Sequence, residues 1–320
     1  MSSWLDFEKP VIELEQKIQE LRTEAASRGL QADDELRDLE RKADALRREV
    51  YANLTAYQRV QLARHPRRPY TLDYIQRCFT DWTEFHGDRH FADDPAIVAG
   101  LAMLGTRPVM VVGQQKGRDT RENLLRRFGM ANPEGYRKAL RLMQVADRFR
   151  IGVVTLVDTA GAYPGLGAEE RGQAEAIAYN LREMSKLEIP IVTVVIGEGG
   201  SGGALAIAVA DVVLMFENSV YSVISPEGCA SILWRDGKQA PQAAEALRLT
   251  AEHLERLGVV DGVLPEPIGG AHRDPDAAAA TLADAVSRHL AALDGVSPSE
   301  RVRRRREKFR RLGVFVEGQG

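Results

Sequence analysis

Five glycines, Gly197, Gly199, Gly200, Gly202 and Gly203, follow an apolar strand-type run over 189–196 and precede a small-residue stretch over 204–210. A strand that turns through glycines into a helix start offers unpaired backbone N–H groups and the positive end of a helix dipole, with no Cβ to keep a ligand away. The natural guest is an oxyanion. Gly197-x-Gly199-x-x-Gly202 satisfies the dinucleotide fingerprint, with Glu217 at the end of the next run as the ribose acid. Against that reading, the following helix is very short and the glycines come late in the chain. Gly199-x-Ser201-x-Gly203 satisfies the nucleophile elbow, with His253, His272 and His289 downstream. A phosphate-binding loop fails because no Lys-Ser or Lys-Thr follows the glycines. An oxyanion hole built on the N–H groups of Gly202 and Gly203 and a plain tight turn complete the set.

A second run, 153–157, ends in Asp158-Thr-Ala-Gly-Ala-Tyr-Pro-Gly-Leu-Gly, and a helical stretch follows from Ala168. Two successive strand-to-glycine-to-helix crossings in one sheet bring their N–H groups to opposite sides of one small pocket. Enolate-stabilising folds use that geometry. Tyr163 offers an aromatic wall, or ordinary loop packing. A third strand end, Gly113-Gln-Gln-Lys-Gly-Arg-Asp-Thr, sets Lys116 and Arg118 at a terminus, either as anion contacts or as solvated charge.

The elements that must hold these loops are legible as period. Strand-type runs occur at 97–104, 108–112, 152–157, 189–196 and 211–216, with helical stretches at 135–148 and 168–186 between them. This alternation predicts an α/β domain with a mostly buried sheet. Further helices are expected over 243–257 and 277–293. Before the domain, Val11, Leu14, Ile18 and Leu21, then Leu36, Leu39, Ala43, Leu46 and Val50, recur at helical spacing. They predict two amphipathic helices broken near Arg28-Gly29, forming an arm that packs on a partner or a hairpin that covers its own domain. After Gly295 come eight basic residues between Arg301 and Arg311, read as a solvated tail rather than a docking patch. The expected organisation is a helical arm over 1–68, a catalytic domain over 69–295 and a basic tail over 296–320.

Composition narrows the class. The 320 residues are 44% hydrophobic and 28% charged, enough for one large core with appendages. A net charge of -3 argues against nucleic acid or an anionic membrane as partner. Cys78 and Cys229 stand alone, which excludes a disulfide framework or a self-contained zinc ribbon and fits a reducing compartment. The first ten residues carry Asp6 and Glu8 without an apolar stretch, and no segment approaches the roughly 18 apolar residues of a membrane span. A cytoplasmic location is expected.

Taken together, Gly113-Gln-Gln-Lys-Gly-Arg-Asp-Thr, the segments 133–143, 158–172 and 197–207, Tyr221-Ser-Val-Ile-Ser-Pro-Glu-Gly-Cys-Ala-Ser-Ile-Leu-Trp and 265–273 resemble the alpha subunits of bacterial acetyl-CoA carboxylase carboxyltransferases. The resemblance runs from Leu5 to about Leu293. It implies a crotonase-like (ClpP/crotonase) spiral fold, and Leu257-Gly-Val-Val-Asp-Gly-Val-Leu-Pro resembles the C-terminal element of that superfamily. It also implies two alpha and two beta chains. The beta subunit would carry a four-cysteine zinc ribbon and the acetyl-CoA side, and the alpha chain, without metal, the carboxybiotin side. Carboxyl transfer from biotin on its carrier protein to acetyl-CoA gives malonyl-CoA, the first committed step of fatty acid synthesis in an ATP-dependent complex.

Residue by residue, the resemblance assigns the N–H donors for the biotin ureido oxygen to Gly202 and Gly203, and a second donor loop to Gly161 and Ala162. Beside that carry-over, the strand-end and glycine-loop residues Tyr163, Gly165, Gly199, Gly200, Lys116 and Arg118 are the further candidates to line the substrate. One departure is Ala160, where the family usually has proline; a fixed φ is lost but no donor. The basic segment after Gly295 lies outside what the family explains. Two other functions stay open at this point: a stand-alone crotonase-type hydratase or isomerase, which needs an acid such as Glu227, and a non-catalytic scaffold for a biotinylated carrier.

Overall fold

The computed structural model describes residues 4–28 and 33–313. Eight strands form one sheet: β1 (Thr80–Glu84), β2 (Ile97–Leu104), β3 (Arg107–Gln114), β4 (Gly152–Thr159), β5 (Ile191–Gly200), β6 (Val212–Phe216), β7 (Val220–Ser222) and β8 (Gly262–Leu264). Their order is β1-β2-β3-β4-β5-β6-β8, with β7 against the end of β5. The first three strands are antiparallel neighbours, and from β3 onward all pairings are parallel. Every residue of β4 is buried, as an unbroken apolar run in a sheet covered on both faces requires. One face packs on the helices Pro133–Arg148 and Gln173–Met184, around Met110, Tyr136, Met143, Val153 and Val195. The other packs on Thr71–Cys78 and Pro275–Asp294, around Tyr74, Val154, Val194, Leu282 and Leu290. The crossovers from β3 to β4 and from β4 to β5 bring the ends of β3, β4 and β5 to one edge of the sheet, where all three glycine-bearing segments meet.

Two expected helices are each divided. The stretch after β4 forms Leu166–Glu170 and Gln173–Met184 because Gly172 takes a left-handed φ of 80°. The stretch at 243–257 forms Ala240–Leu247 and Ala251–Arg256. Arg248 turns left-handed there, and Leu249 accepts a bond from the Tyr221 N–H. A glycine break overrides helical period in the first place and tertiary pairing with Tyr221 in the second.

Helices Lys9–Arg28 and Asp33–Ala52 pack on one another, tied by Arg47 to Glu15; the break expected after Arg28 lies outside the described residues. The pair is fastened to the domain by Arg273 on Glu15 and by Glu8, 3.4 Å from His272 Nε2 and itself held within the arm by the Tyr51 hydroxyl and the Leu5 N–H. Glu8, His65 and His272 converge in a buried cluster. The two imidazoles stack at 3.9 Å with 27° between planes, so their in-plane lone pairs run side by side rather than meeting on one point as metal ligands do. Residues beyond this hairpin are part of the domain. Ala56, Val60 and Ala63 pack with Val220, Ala244 and Leu249, and the fully buried Arg68 bonds Ile196 O, Ser219 Oγ and both oxygens of Glu266.

The solvated-tail expectation is overturned. Residues Pro298–Arg310 form a helix, capped by Ser297 Oγ, that docks on the domain. Arg301 and Arg305, four apart on one face, are buried. Arg305 bonds the carbonyls of Met184, Leu187 and Ile189 and both oxygens of Asp211; Arg301 bonds those of Glu188, Leu293 and Val296. Arginine side chains here terminate loops that would otherwise bury unpaired carbonyls. Among the described residues no helix is long and apolar enough to cross a membrane.

Candidate functional site

β5 ends at Gly200, and the helix Ser201–Leu205 starts at once. Gly202 and Gly203 lie in its first turn, which has no side-chain cap, so its leading N–H groups have no intrahelical partner. The neighbouring loop from β4 lies directly against it. A Cβ on Gly203 would overlap Gly161 and the Ala162 nitrogen, and one on Gly200 would overlap the Ala160 carbonyl. Glycine at both positions is what lets the two loops touch. The two N–H groups expected as donors in that loop differ in their bonding. The Gly161 N–H is committed to Thr159 Oγ1, whereas the Ala162 N–H has no partner among the described residues.

Tyr163 is half-buried, its N–H on Ala131 O and its carbonyl held by Gln173 Nε2. Its ring occupies the space a Cβ on Gly165 would need, and Tyr221 does the same over Gly199. The Arg127 guanidinium stands 5.6 Å from the Tyr163 ring. Arg127, Phe128 and Gly129 all have left-handed φ, and Gly129 roofs the Lys116 stem. Such a run of strained residues is stable only where its surroundings impose it.

Lys116 is placed beneath the loops. Its ammonium sits 2.7 Å from Asp158 Oδ1 and 2.9 Å from Glu198 Oε2. Arg64 Nε holds the other oxygen of Glu198 at 2.6 Å, and the same guanidinium reaches Glu227 at 2.8 Å. Burial alone would raise the Glu198 carboxyl, but Lys116 and Arg64 outweigh it and bring it down to about 2. Burial likewise opposes the charged form of Lys116, and the two carboxylates overcome it, holding the ammonium above the usual lysine range. Asp158 is wholly buried, and burial keeps its carboxyl above the ordinary range despite Lys116. Its Oδ2 has no hydrogen-bond partner among the described residues. Gln114 adds a neutral tie, donating to Gly203 O at 2.8 Å and accepting the Asp158 N–H at 3.0 Å. Arg118 is drawn away from this group: it bonds Pro66 O, Arg68 O and Asp73 and stacks on Tyr70.

Ser201 has the left-handed φ of 51° that the elbow template wants. No histidine completes it: His253 bonds Thr250, His272 stacks on His65, and His289 lies on the Pro275–Asp294 helix. Five residues of helix after the glycines also leave the dinucleotide reading without its crossover helix. Glu227, the acid a hydratase would need, is engaged by Arg64 and Tyr57. Burial would raise its carboxyl, but the Arg64 bond and charge prevail and lower it.

Solved structures with this chain path include transcarboxylase 12S (TM-score 0.54, 22% identity, 68% of this chain and 41% of that one). The beta subunit of P. aeruginosa geranyl-CoA carboxylase also aligns, with a TM-score of 0.55 and 15% identity over 77% of this chain and 46% of that one. A Pseudomonas malonate decarboxylase hetero-tetramer in complex with coenzyme A gives 0.55 and 18% over 68% and 89%. The fold is therefore crotonase-like. Within it, residues 4–313 match the profile described as acetyl co-enzyme A carboxylase carboxyltransferase-like, and the chain belongs to that family. The acetyl-coenzyme A carboxylase carboxyl transferase subunit alpha of Geobacter metallireducens is 59% identical over 98% of both chains. Its counterpart in Thermus thermophilus is 58% identical over 98% of this chain and 99% of its own.

Proposed function

We propose that this chain is the alpha half of an acetyl-CoA carboxylase carboxyltransferase, transferring a carboxyl group from carboxybiotin on a carrier protein to acetyl-CoA in the cytoplasm. The observation that carries the reading is the junction of the two loops, where the Ala162 N–H and the first-turn N–H groups after Gly200 lie together with no internal partner. That group of amides, brought together because glycine at 203 lets the two loops touch, fits a planar ureido group with one anionic oxygen. When bound, carboxybiotin would supply an activated carboxyl group and a ureido oxygen able to carry negative charge. The chain's own contribution is position and electrostatics: the amides of Gly202, Gly203 and Ala162 face the charge, and Tyr163 walls the ring. No side-chain acid or base is required of this chain.

A beta subunit bearing the zinc ribbon and the acetyl-CoA side would complete the site, in a complex of two alpha and two beta chains. The exposed apolar residues Val223, Ile232, Leu233 and Trp234, just past the strand that pairs with the glycine loop, support a covered face there. The purified chain is expected to be inactive alone and to form malonyl-CoA from carboxybiotin once the beta chain is added. Full activity without a partner would refute the half-site reading.

A further inference from the structure

We infer that Lys116 is a positioning residue for carboxyl transfer, fixing the distance between the two donor loops through one ammonium shared by Asp158 and Glu198; this rests on the carboxyl-transfer reading above. Asp158 closes β4 just before Gly161 and Ala162, and Glu198 lies near the end of β5 just before Gly202 and Gly203. The loops themselves are glycine-rich and have few side chains with which to hold each other. Their spacing must come from below. Lys116, entering from the end of β3, touches both roots at 2.7 and 2.9 Å. Glu198 cannot swing away, because Arg64 holds its other oxygen at 2.6 Å. Asp158 cannot either, since its Oδ1 also accepts the Glu198 N–H at 3.0 Å and a Cβ on Gly197 would collide with its carboxylate. Gln114, two residues before Lys116, repeats the tie through neutral groups, joining Asp158 N to Gly203 O.

A lysine that gripped substrate would leave its ammonium facing the pocket. This one is 11% exposed and bonded to two carboxylates, so it acts through them. Donors built for a developing charge must be held to about half an ångström, and a displacement of about 1 Å costs on the order of 10²-fold in rate.

The test uses the full complex with its beta chain. Lys116→Met should lower kcat on the order of 10²-fold while the KM for acetyl-CoA stays within about twofold, because the acyl-CoA side is not built on this brace. Hydrogen exchange measured by mass spectrometry without substrate should speed up together in peptides spanning 159–165 and 198–205. Lys116→Met with Asp158→Asn removes a carboxylate left unpaired; thermal stability should recover and kcat should stay low. Should Lys116→Met fail to assemble, Gln114→Met tests the same coupling without an exposed charge, with the same joint change in exchange and a smaller loss of kcat. A fall in kcat with exchange unchanged at both loops would overturn the proposal in favour of direct substrate contact, and an unchanged kcat would reduce Lys116 to a structural ion pair. If the wild-type complex transfers no carboxyl group, the functional reading fails, and the exchange result still decides whether Lys116 couples the loops.

Discussion

The two ends of the parallel sheet both bury charged side chains, and they use them in opposite ways. At the end where β4, β5 and β6 begin, Arg305 is saturated by loop carbonyls and Asp211, Arg301 binds three more carbonyls through its terminal nitrogens, and Asp211 in turn accepts the Ile191 N–H. At the end where β3, β4 and β5 finish, Ser201 and the 127–129 segment are left-handed, and among the described residues Asp158 Oδ2 has no hydrogen-bond partner and the Ala162 N–H is unclaimed. One end turns nearly all of its charged groups onto loop carbonyls and each other, with Arg301 Nε the exception among these. The other keeps some of them open and holds the backbone in conformations that only a rigid base can sustain.

The sharpest way to break this contrast is to add one side chain at each end. Gly203→Val should slow turnover by at least about 10²–10³-fold, the loss expected for a misplaced preorganised donor, since its Cβ would overlap Gly161 and Ala162. The KM for acetyl-CoA should barely move; a sharp rise in that constant with turnover intact would remove this turn from the biotin side. Gly295→Ala, with open space around its Cβ at the opposite end, should leave rate and circular dichroism unchanged. Next in size, Arg305→Met should destabilise the chain by about 3–5 kcal/mol, because Asp211 and three carbonyls lose their partner. Molecules that remain folded should turn over at the wild-type rate, and a large kcat loss there would erase the division between the two ends.

Acidity gives a third, graded comparison. The Glu198 carboxyl is depressed from 4.5 to about 2, so its contribution to stability is complete above 4.5 and disappears as pH falls to about 2. Lys116 is raised above 10.5, so its contribution holds below that value and is lost as pH climbs beyond it. Urea midpoints of wild type and Glu198→Gln should therefore differ at pH 7 and converge toward pH 2. Parallel curves across that range would show the pair contributes little. The smallest effect is expected from Ser201→Ala, which should keep most of the activity; a covalent adduct on Ser201 would restore the hydrolase reading.

Where local pattern dictates structure, the sequence was readable. β2 runs over the residues its apolar stretch marks, and β4 and β5 extend two and four residues past their apolar runs into the glycine segments. The Gly203 loop was recognisable because a strand, glycines and small residues stand next to each other. The ion network beneath it was not, since Lys116, Asp158, Glu198 and Arg64 are separated by 40 to 134 positions and no spacing rule links them. Glu198 did leave a trace as the one charge inside the run 189–207. Spacing could not show where Arg118 goes: neighbours in a strand-end motif can point to different places, and Arg118 stacks on Tyr70 and pairs with Asp73. Nor does composition distinguish a solvated arginine run from one whose residues at 301 and 305 insert into a carbonyl-lined crevice.

The pairing of Arg68 with Glu266 spans 198 positions and that of Arg64 with Glu198 spans 134. At about 5–20 residues per second, a ribosome leaves the earlier arginine waiting on the order of 10–40 s for its carboxylate. Arg64 waits until Glu198 is made, and Arg68 until Glu266 follows. The buried pair that anchors the segment 56–68 is thus completed late in synthesis. A chain released between the glycine loops and Glu266 would hold Glu198 for Arg64 and yet leave Arg68 without its carboxylate, which makes such late truncation products targets for clearance rather than inert competitors for the beta subunit.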